Sequence, residues 1–234
     1  MVEKISRRQD YEAIYDADYY SGKKSFFYKI SGGYRDFKPY FNRLAKWFAP
    51  HIRPGALLDA GCAYGFMLRR YGDGRPLYGC DISEHALAQA AALVPAAHLH
   101  RGCLGEAPLP WGDGFFATII CNDVVEHLSP QHRDRTFADF YRLLQPGGSL
   151  CITTPNGNLL RRLVYGIPDR LEHHIGLLPL GGWESCGRNA GFEVQARWSY
   201  LHGLLPIRLT VALFPECALV LRKGKKIEQG DPNL

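Results

Sequence analysis

An α/β fold is what this sequence predicts: a doubly wound, mostly parallel sheet with an antiparallel edge strand, covered by helices on both faces as three layers. Three observations predict it. Short apolar runs alternate with helix-like segments between residues 56 and 155. The first run, Leu57-Leu58-Asp59-Ala60, ends beside a carboxylate and enters the glycine-bearing turn Gly61–Gly65. The second run also ends in an acid, Asp81. In open parallel sheets, ligands bind at the carboxyl ends of the strands, where the strand order reverses.

The elements follow in order. Residues 1–35 are rich in tyrosine and show no clean period. Phe37, Phe41, Leu44 and Phe48 then fall on one helical face that ends at Pro50. Residues 56–60 form the first strand, and Phe66–Tyr71 begins a helix after the turn. Residues 76–81 form the second strand, and Ser83 caps an alanine-rich helix over 84–93. Residues 97–101 and 115–121 give strands three and four. Ser129-Pro130 supplies a cap and a first-turn proline for a helix whose inner face carries Phe137, Phe140, Tyr141 and Leu144. Gln145-Pro146-Gly147-Gly148 stops it, and residues 149–155 are the fifth strand.

Beyond this the pattern loosens. Residues 156–182 read as an irregular lid or substrate-binding insertion, because Pro168, Pro179 and several glycines interrupt them. A short helix over 183–190 and strands at 192–200 and 217–223 complete the chain. The expected division is an N-terminal helical arm or lid, 1–50, and one domain, 51–234, of which 156–182 is part.

Composition narrows the function classes. The 234 residues are 46% hydrophobic and 22% charged, as in an ordinary globular protein. A net charge of +5 is too small to imply nucleic acid. Lys23, Lys24, Arg161, Arg162, Lys223, Lys225 and Lys226 read as a solvated basic face. The seven cysteines lie far apart with no C-x-x-C pair, which argues against zinc fingers and disulfide frameworks and for a reduced, cytoplasmic protein. The N-terminus lacks the apolar core of a signal peptide. The apolar stretch 204–221 contains Arg208, Glu216 and two prolines, so no integral membrane span is expected. Its first part, 204–214, reads as an edge hairpin with a homodimer surface, or else as a grip for a lipophilic substrate or membrane.

The turn itself points to a ligand class. The spacing Gly61-x-x-x-Gly65 is not the G-x-G-x-x-G of dinucleotide sites. An acid just before the turn repels a pyrophosphate and suits an ammonium group. A carboxylate at Asp81 can accept ribose hydroxyls. A nucleoside without phosphates and with a cation near the turn fits both, and S-adenosylmethionine is such a molecule.

Four segments in this order, LLDAGCAYG (57–65), YGCDIS (78–83), PLPWGDGFFATIICNDVVEHL (108–128) and LLQPGGSLCITTPN (143–156), resemble the class I S-adenosylmethionine-dependent methyltransferases of the small-molecule type. The resemblance is close over residues 55–155 and looser over 180–223. It implies a Rossmann-like fold, S-adenosylmethionine as cofactor with S-adenosylhomocysteine as product, and a small-molecule acceptor methylated on O, N or C. It implies that Asp59, Gly61, Cys62, Ala63 and Gly65 form the turn around the methionine part. Asp81 would hold the ribose, Ile82 pack on the adenine, and Asn122 lie at the methionine side. Cys103 stands where the family often presents an acid, which leaves the adenine contact to the Leu104 backbone amide.

Several residues carry alternatives. His127, just after strand four, is the best-placed general base for a substrate hydroxyl; otherwise it packs beside the cofactor or caps the next helix. Tyr15, Tyr19 and Tyr20 read as a lid contacting substrate, or as a surface arm. His174 reads as a substrate-pocket residue. His173 and His174 are too few for a metal without carboxylates, and the adjacent Glu172 is poorly placed to converge on the same ion, so no metal is expected. The rival functions are a nicotinamide-dependent oxidoreductase, which lacks its fingerprint here, a non-catalytic S-adenosylmethionine-binding regulator, and an RNA or protein methyltransferase.

Overall fold

The computed structural model describes residues 8–72, 74–201 and 207–224. Four helices come first: α1 (Arg8–Ile14), α2 (Ala17–Tyr20), α3 (Phe26–Ser31) and α4 (Lys38–Phe48). The alternating region follows as β1 (Leu57–Ala60), β2 (Leu77–Asp81), α5 (Glu84–Leu93), β3 (His98–Arg101), β4 (Phe116–Asn122), α6 (Pro130–Leu143) and β5 (Leu144–Pro155). The chain ends with α7 (Leu159–Leu171), α8 (Leu180–Asn189), β6 (Glu193–Tyr200), β7 (Arg208–Leu209) and β8 (Glu216–Arg222).

The eight strands form one sheet in the order β3-β2-β1-β4-β5-β8-β6-β7. The first five pair in parallel, and β8, β6 and β7 join by antiparallel pairings. The order reverses between β1 and β4, which opens a crevice at their carboxyl ends. Alternating side chains feed two cores, one per face. Leu58, Ala60, Ile119 and Cys121 pack with Phe137 and Phe140 of α6 and Trp183 of α8. Leu57 and Ile120 pack on the other face with Leu44 and Phe48 of α4. Helix α4 therefore belongs to the layered core, and the tyrosine-rich arm proper precedes it.

Local signals placed α5 and α6. Ser83 accepts the Ala86 amide and Ser129 the His132 amide, each filling an orphan donor of the first turn. Helix α6 ends at Leu143, and the 145–148 segment shifts the register between β4 and β5. The seven cysteines are all free, and six are buried. No helix among the described residues is long and apolar enough to cross a membrane.

Four expectations need correction. After the glycine turn only one short 3-10 turn forms, Leu68–Tyr71, rather than a full helix from Phe66. Phe37 caps α4 from outside and is 45% exposed. The 156–182 segment is largely helical, because Asn158 accepts the Arg161 amide and Pro168 falls only in the last turn, where one hydrogen bond is lost. Arg161 is no part of a solvated face: it is buried, its Nε and Nη2 donating to Asp169 and its Nη1 to Glu216 at 2.6 Å. Lys225, Lys226 and residues 204–206 of the expected hairpin lie outside the described residues.

Candidate functional site

One cavity of about 820 Å³ opens at the carboxyl ends of the central strands. Its floor is the turn after β1, its sides are the ends of β2 and β4, and its roof is the arm with the end of α7.

The turn is held by sterics and by one carboxylate. A Cβ at Gly61 would lie 2.3 Å from Val124 Cγ2, and its φ of +78° is left-handed, so glycine is required there. Ala63 also sits at positive φ, 45°, a conformation that costs a non-glycine residue about 1 kcal/mol. Its amide is fixed by Asp81, whose Oδ2 accepts it at 2.9 Å while Oδ1 accepts the Ser83 amide at 2.9 Å. Asp81 thus braces the turn and still faces the cavity, with lone pairs to spare on both oxygens. Gly65 does not reach the cavity: its absent side chain lets the turn lie against Ala90 of α5.

Charge favours a cation. Asp59 and Asp81 are buried, and neither has an ion pair among the described residues. Burial, then the neighbouring Asp81 charge, pushes the Asp59 carboxyl up to about 7, with the Leu68 amide opposing. Asn122 accepts from Thr153 Oγ1, while its buried Nδ2 has no partner among the described residues and is free to donate to an anionic ligand group. Two unneutralised carboxylates, an orphan amide donor and a glycine-tight turn suit an amino-acid-bearing nucleoside cation. Ile82, Cys103 and Tyr11 pack together beside Ile175 as an apolar slot at the end of β2 and β3.

The roof is aromatic. Tyr15 and Tyr19 meet edge to face at 4.9 Å, and Tyr19 and Tyr20 at 5.5 Å. Burial holds all three phenols above their ordinary range, so they stay protonated. The arm is tied down by Glu172, which accepts from Tyr19 Oη, Ser25 Oγ and the Phe27 amide. Sequence reading singled out these tyrosines and missed Glu172 as their anchor, since its partners lie some 145 positions away.

His127 and His174 meet at 4.8 Å between ring centroids, and Tyr15 stacks edge-on against His127 at 5.4 Å. Burial, then His174, drives the His127 pKa well below its ordinary range, so the ring is neutral. His174 Nδ1 lies 2.9 Å from Asp169 Oδ1. Glu126, Asp123 and Tyr40 also line this end, where Tyr40 donates to Asp123 Oδ2 at 2.6 Å. Glu126 was legible as the acid beside His127 in the EHL segment. The structure brings every predicted site residue except Gly65 to this one cavity.

Residues 58–152 match the family model of the methyltransferase domain. The malonyl-[acyl-carrier protein] O-methyltransferase of Pseudescherichia vulneris is 31% identical over 110 residues, 44% of this chain and 39% of that protein. The chain thus spans about two fifths of the length of that curated relative. A methyltransferase structure from Thermotoga maritima superposes with a TM-score of 0.66 at 15% identity, covering 85% of this chain and 96% of that one. A TehB-like methyltransferase from Corynebacterium glutamicum gives 0.60 at 21%, covering 84% and 92%. The glycine turn and the two strand-end acids lie within or beside that matched methyltransferase domain, and the fold is the one seen in S-adenosylmethionine-dependent methyltransferases, whose cofactor is S-adenosylmethionine.

Proposed function

We propose that this chain methylates an oxygen of a small-molecule acceptor. The observation that carries the reading is that one roofed cavity is lined both by the cofactor turn and by the tyrosines and histidines of the arm and α7. Its volume falls in the upper part of the range of about 300–1,000 Å³ for small-molecule sites. A roofed site suits an acceptor taken in whole, and the name of the bacterial relative supports oxygen as the methylated atom.

When bound, S-adenosylmethionine supplies an electrophilic methyl on a positively charged sulfur. The protein's part is to orient the partners, which is worth roughly 7–11 kcal/mol in favourable cases. Asp59 faces the ammonium end, Asp81 the ribose, and Ile82 with Cys103 and Leu104 the base. Tyr15, Tyr19 and Tyr20 exclude water and grip the acceptor. His127 faces the acceptor, but a ring held so far below its ordinary range is a weak base for a hydroxyl proton.

The test is a screen of small-molecule fractions for uptake of labelled methyl. Label is expected in a small molecule. Transfer only to protein or RNA overturns the acceptor class, and tight cofactor binding with no transfer overturns the enzyme.

The raised Asp59 carboxyl gives a second expectation. A cation beside it favours the ionised form, so binding releases a proton wherever free Asp59 is protonated. Affinity for S-adenosylmethionine should climb by up to about tenfold per pH unit below 7 and level off above it. Without ligand the sign is opposite: a raised carboxyl contributes stability at low pH that is lost as pH rises toward 7. Calorimetry between pH 5.5 and 8.5 reads the first effect, and Asp59→Asn should flatten it.

A further inference from the structure

Seven carboxylates line the cavity: Asp36, which Arg69 and Arg70 pair, and Asp59, Asp81, Asp123, Glu126, Glu172 and Glu216. Against them stand two arginines, Arg35 and Arg161. The cofactor's cationic groups answer Asp59 and Asp81, and Arg161 answers Glu216. The acceptor end keeps more carboxyl groups than cations, and there Glu126 is 1% exposed without an arginine or lysine bonded to it. An isolated buried carboxylate is costly unless a cation joins it.

Glu126, His127 and His174 each offer one ligand atom, and these atoms lie within 4.8 Å of one another. The contacts around them leave specific atoms available. Thr154 Oγ1 donates to Glu126 Oε2 at 3.0 Å, leaving Oε1, which lies 3.9 Å from His127 Nε2. Asp169 occupies His174 Nδ1, leaving Nε2. Asp169 is in turn clamped by Arg161. This carboxylate–imidazole arrangement is the support that fixes a metal-binding histidine in other proteins. His127 Nδ1 is buried without a hydrogen-bond partner among the described residues. His173, at a left-handed φ of 60°, sets the backbone that turns His174 inward.

We propose that Glu126, His127 and His174 hold one divalent transition-metal ion of the zinc class, and that this ion takes the acceptor's oxygen as a further ligand. Two imidazoles and one carboxylate with an open position is a donor set that zinc uses in catalytic sites. A tetrahedral ion with bonds of about 2.1 Å sets its donors about 3.4 Å apart, so the present spread closes with side-chain shifts of about 1 Å. The inference rests on the methyl-transfer reading for the acceptor's identity: a hydroxylated molecule able to bind a metal. With such an ion bound, the acceptor's hydroxyl would lose its proton to water as it enters, and its oxygen would then take the methyl carbon while the S–CH3 bond breaks and its electron pair stays on sulfur. Sequence reading weighed His173 and His174 with Glu172 for a metal and expected none; the fold instead sets His174 beside Glu126 and His127 at the β4 end.

The test uses the full chain, dialysed against chelator, titrated with Zn²⁺ alone and, for its visible spectrum, with Co²⁺. One ion per chain is expected, with a tetrahedral or five-coordinate cobalt band. Glu126→Gln and His174→Ala should each weaken binding by about 100-fold, and Asp169→Asn by about 10–100-fold. S-adenosylhomocysteine affinity, measured alongside, should persist in His174→Ala, which separates site loss from misfolding. Wild-type protein that takes up no zinc, or takes it up as tightly in His174→Ala as in wild type, overturns the inference. Neither result bears on methyl transfer, which the labelled screen decides independently.

Discussion

Arg161→Ala should lower folding stability by about 3–5 kcal/mol, the usual cost of stranding buried charges. The guanidinium is 3% exposed and serves Asp169, Glu216 and the Pro215 carbonyl together. Its loss leaves two carboxylates buried with no cation. Chemical denaturation reads the change directly, and the melting temperature should fall on the order of 10 °C. Arg161→Lys keeps a charge but not the planar fork, so an intermediate loss is expected. A melting curve unchanged in Arg161→Ala would show that α7 is held by its neighbours alone.

Asp81→Ala should weaken S-adenosylhomocysteine binding by about 100-fold, or about 3 kcal/mol, from two charge-assisted hydrogen bonds and the ribose contact. The turn loses its clamp on the Ala63 amide at the same time as the ligand loses its acceptor. Asp81→Asn keeps one acceptor oxygen and should fall between. Calorimetry checks both, and unchanged affinity in Asp81→Ala would refute the ribose assignment.

Much of this was legible before any coordinates. The Asp59 turn, Asp81, the Ser83 and Ser129 caps and the β4 run are local signals, each set by residues a few positions apart. Helix α7 was not legible, for a physical reason. It carries its polar residues inward and its apolar ones outward: Arg161 and Asp169 are buried, while Leu159, Leu163 and Ile167 are each more than 70% exposed. Apolar periodicity assumes the opposite arrangement. Arg161 and Asp169 lie two turns apart on one face, and their burial depends on Glu216, which is remote in sequence. Glu172 escaped as the anchor of the arm for the same reason, since a side chain's partners across the fold leave no trace near it in the chain.

The clasp between Glu172 and the arm has a consequence for how the molecule is filled. Tyr19, Ser25 and the Phe27 amide neutralise that carboxylate only while the arm is down. Lifting the arm strips it of all three donors at once, and water must follow to replace them. His174 stands two positions past the clasp, so the anchor of the arm and a cavity histidine share one short piece of backbone.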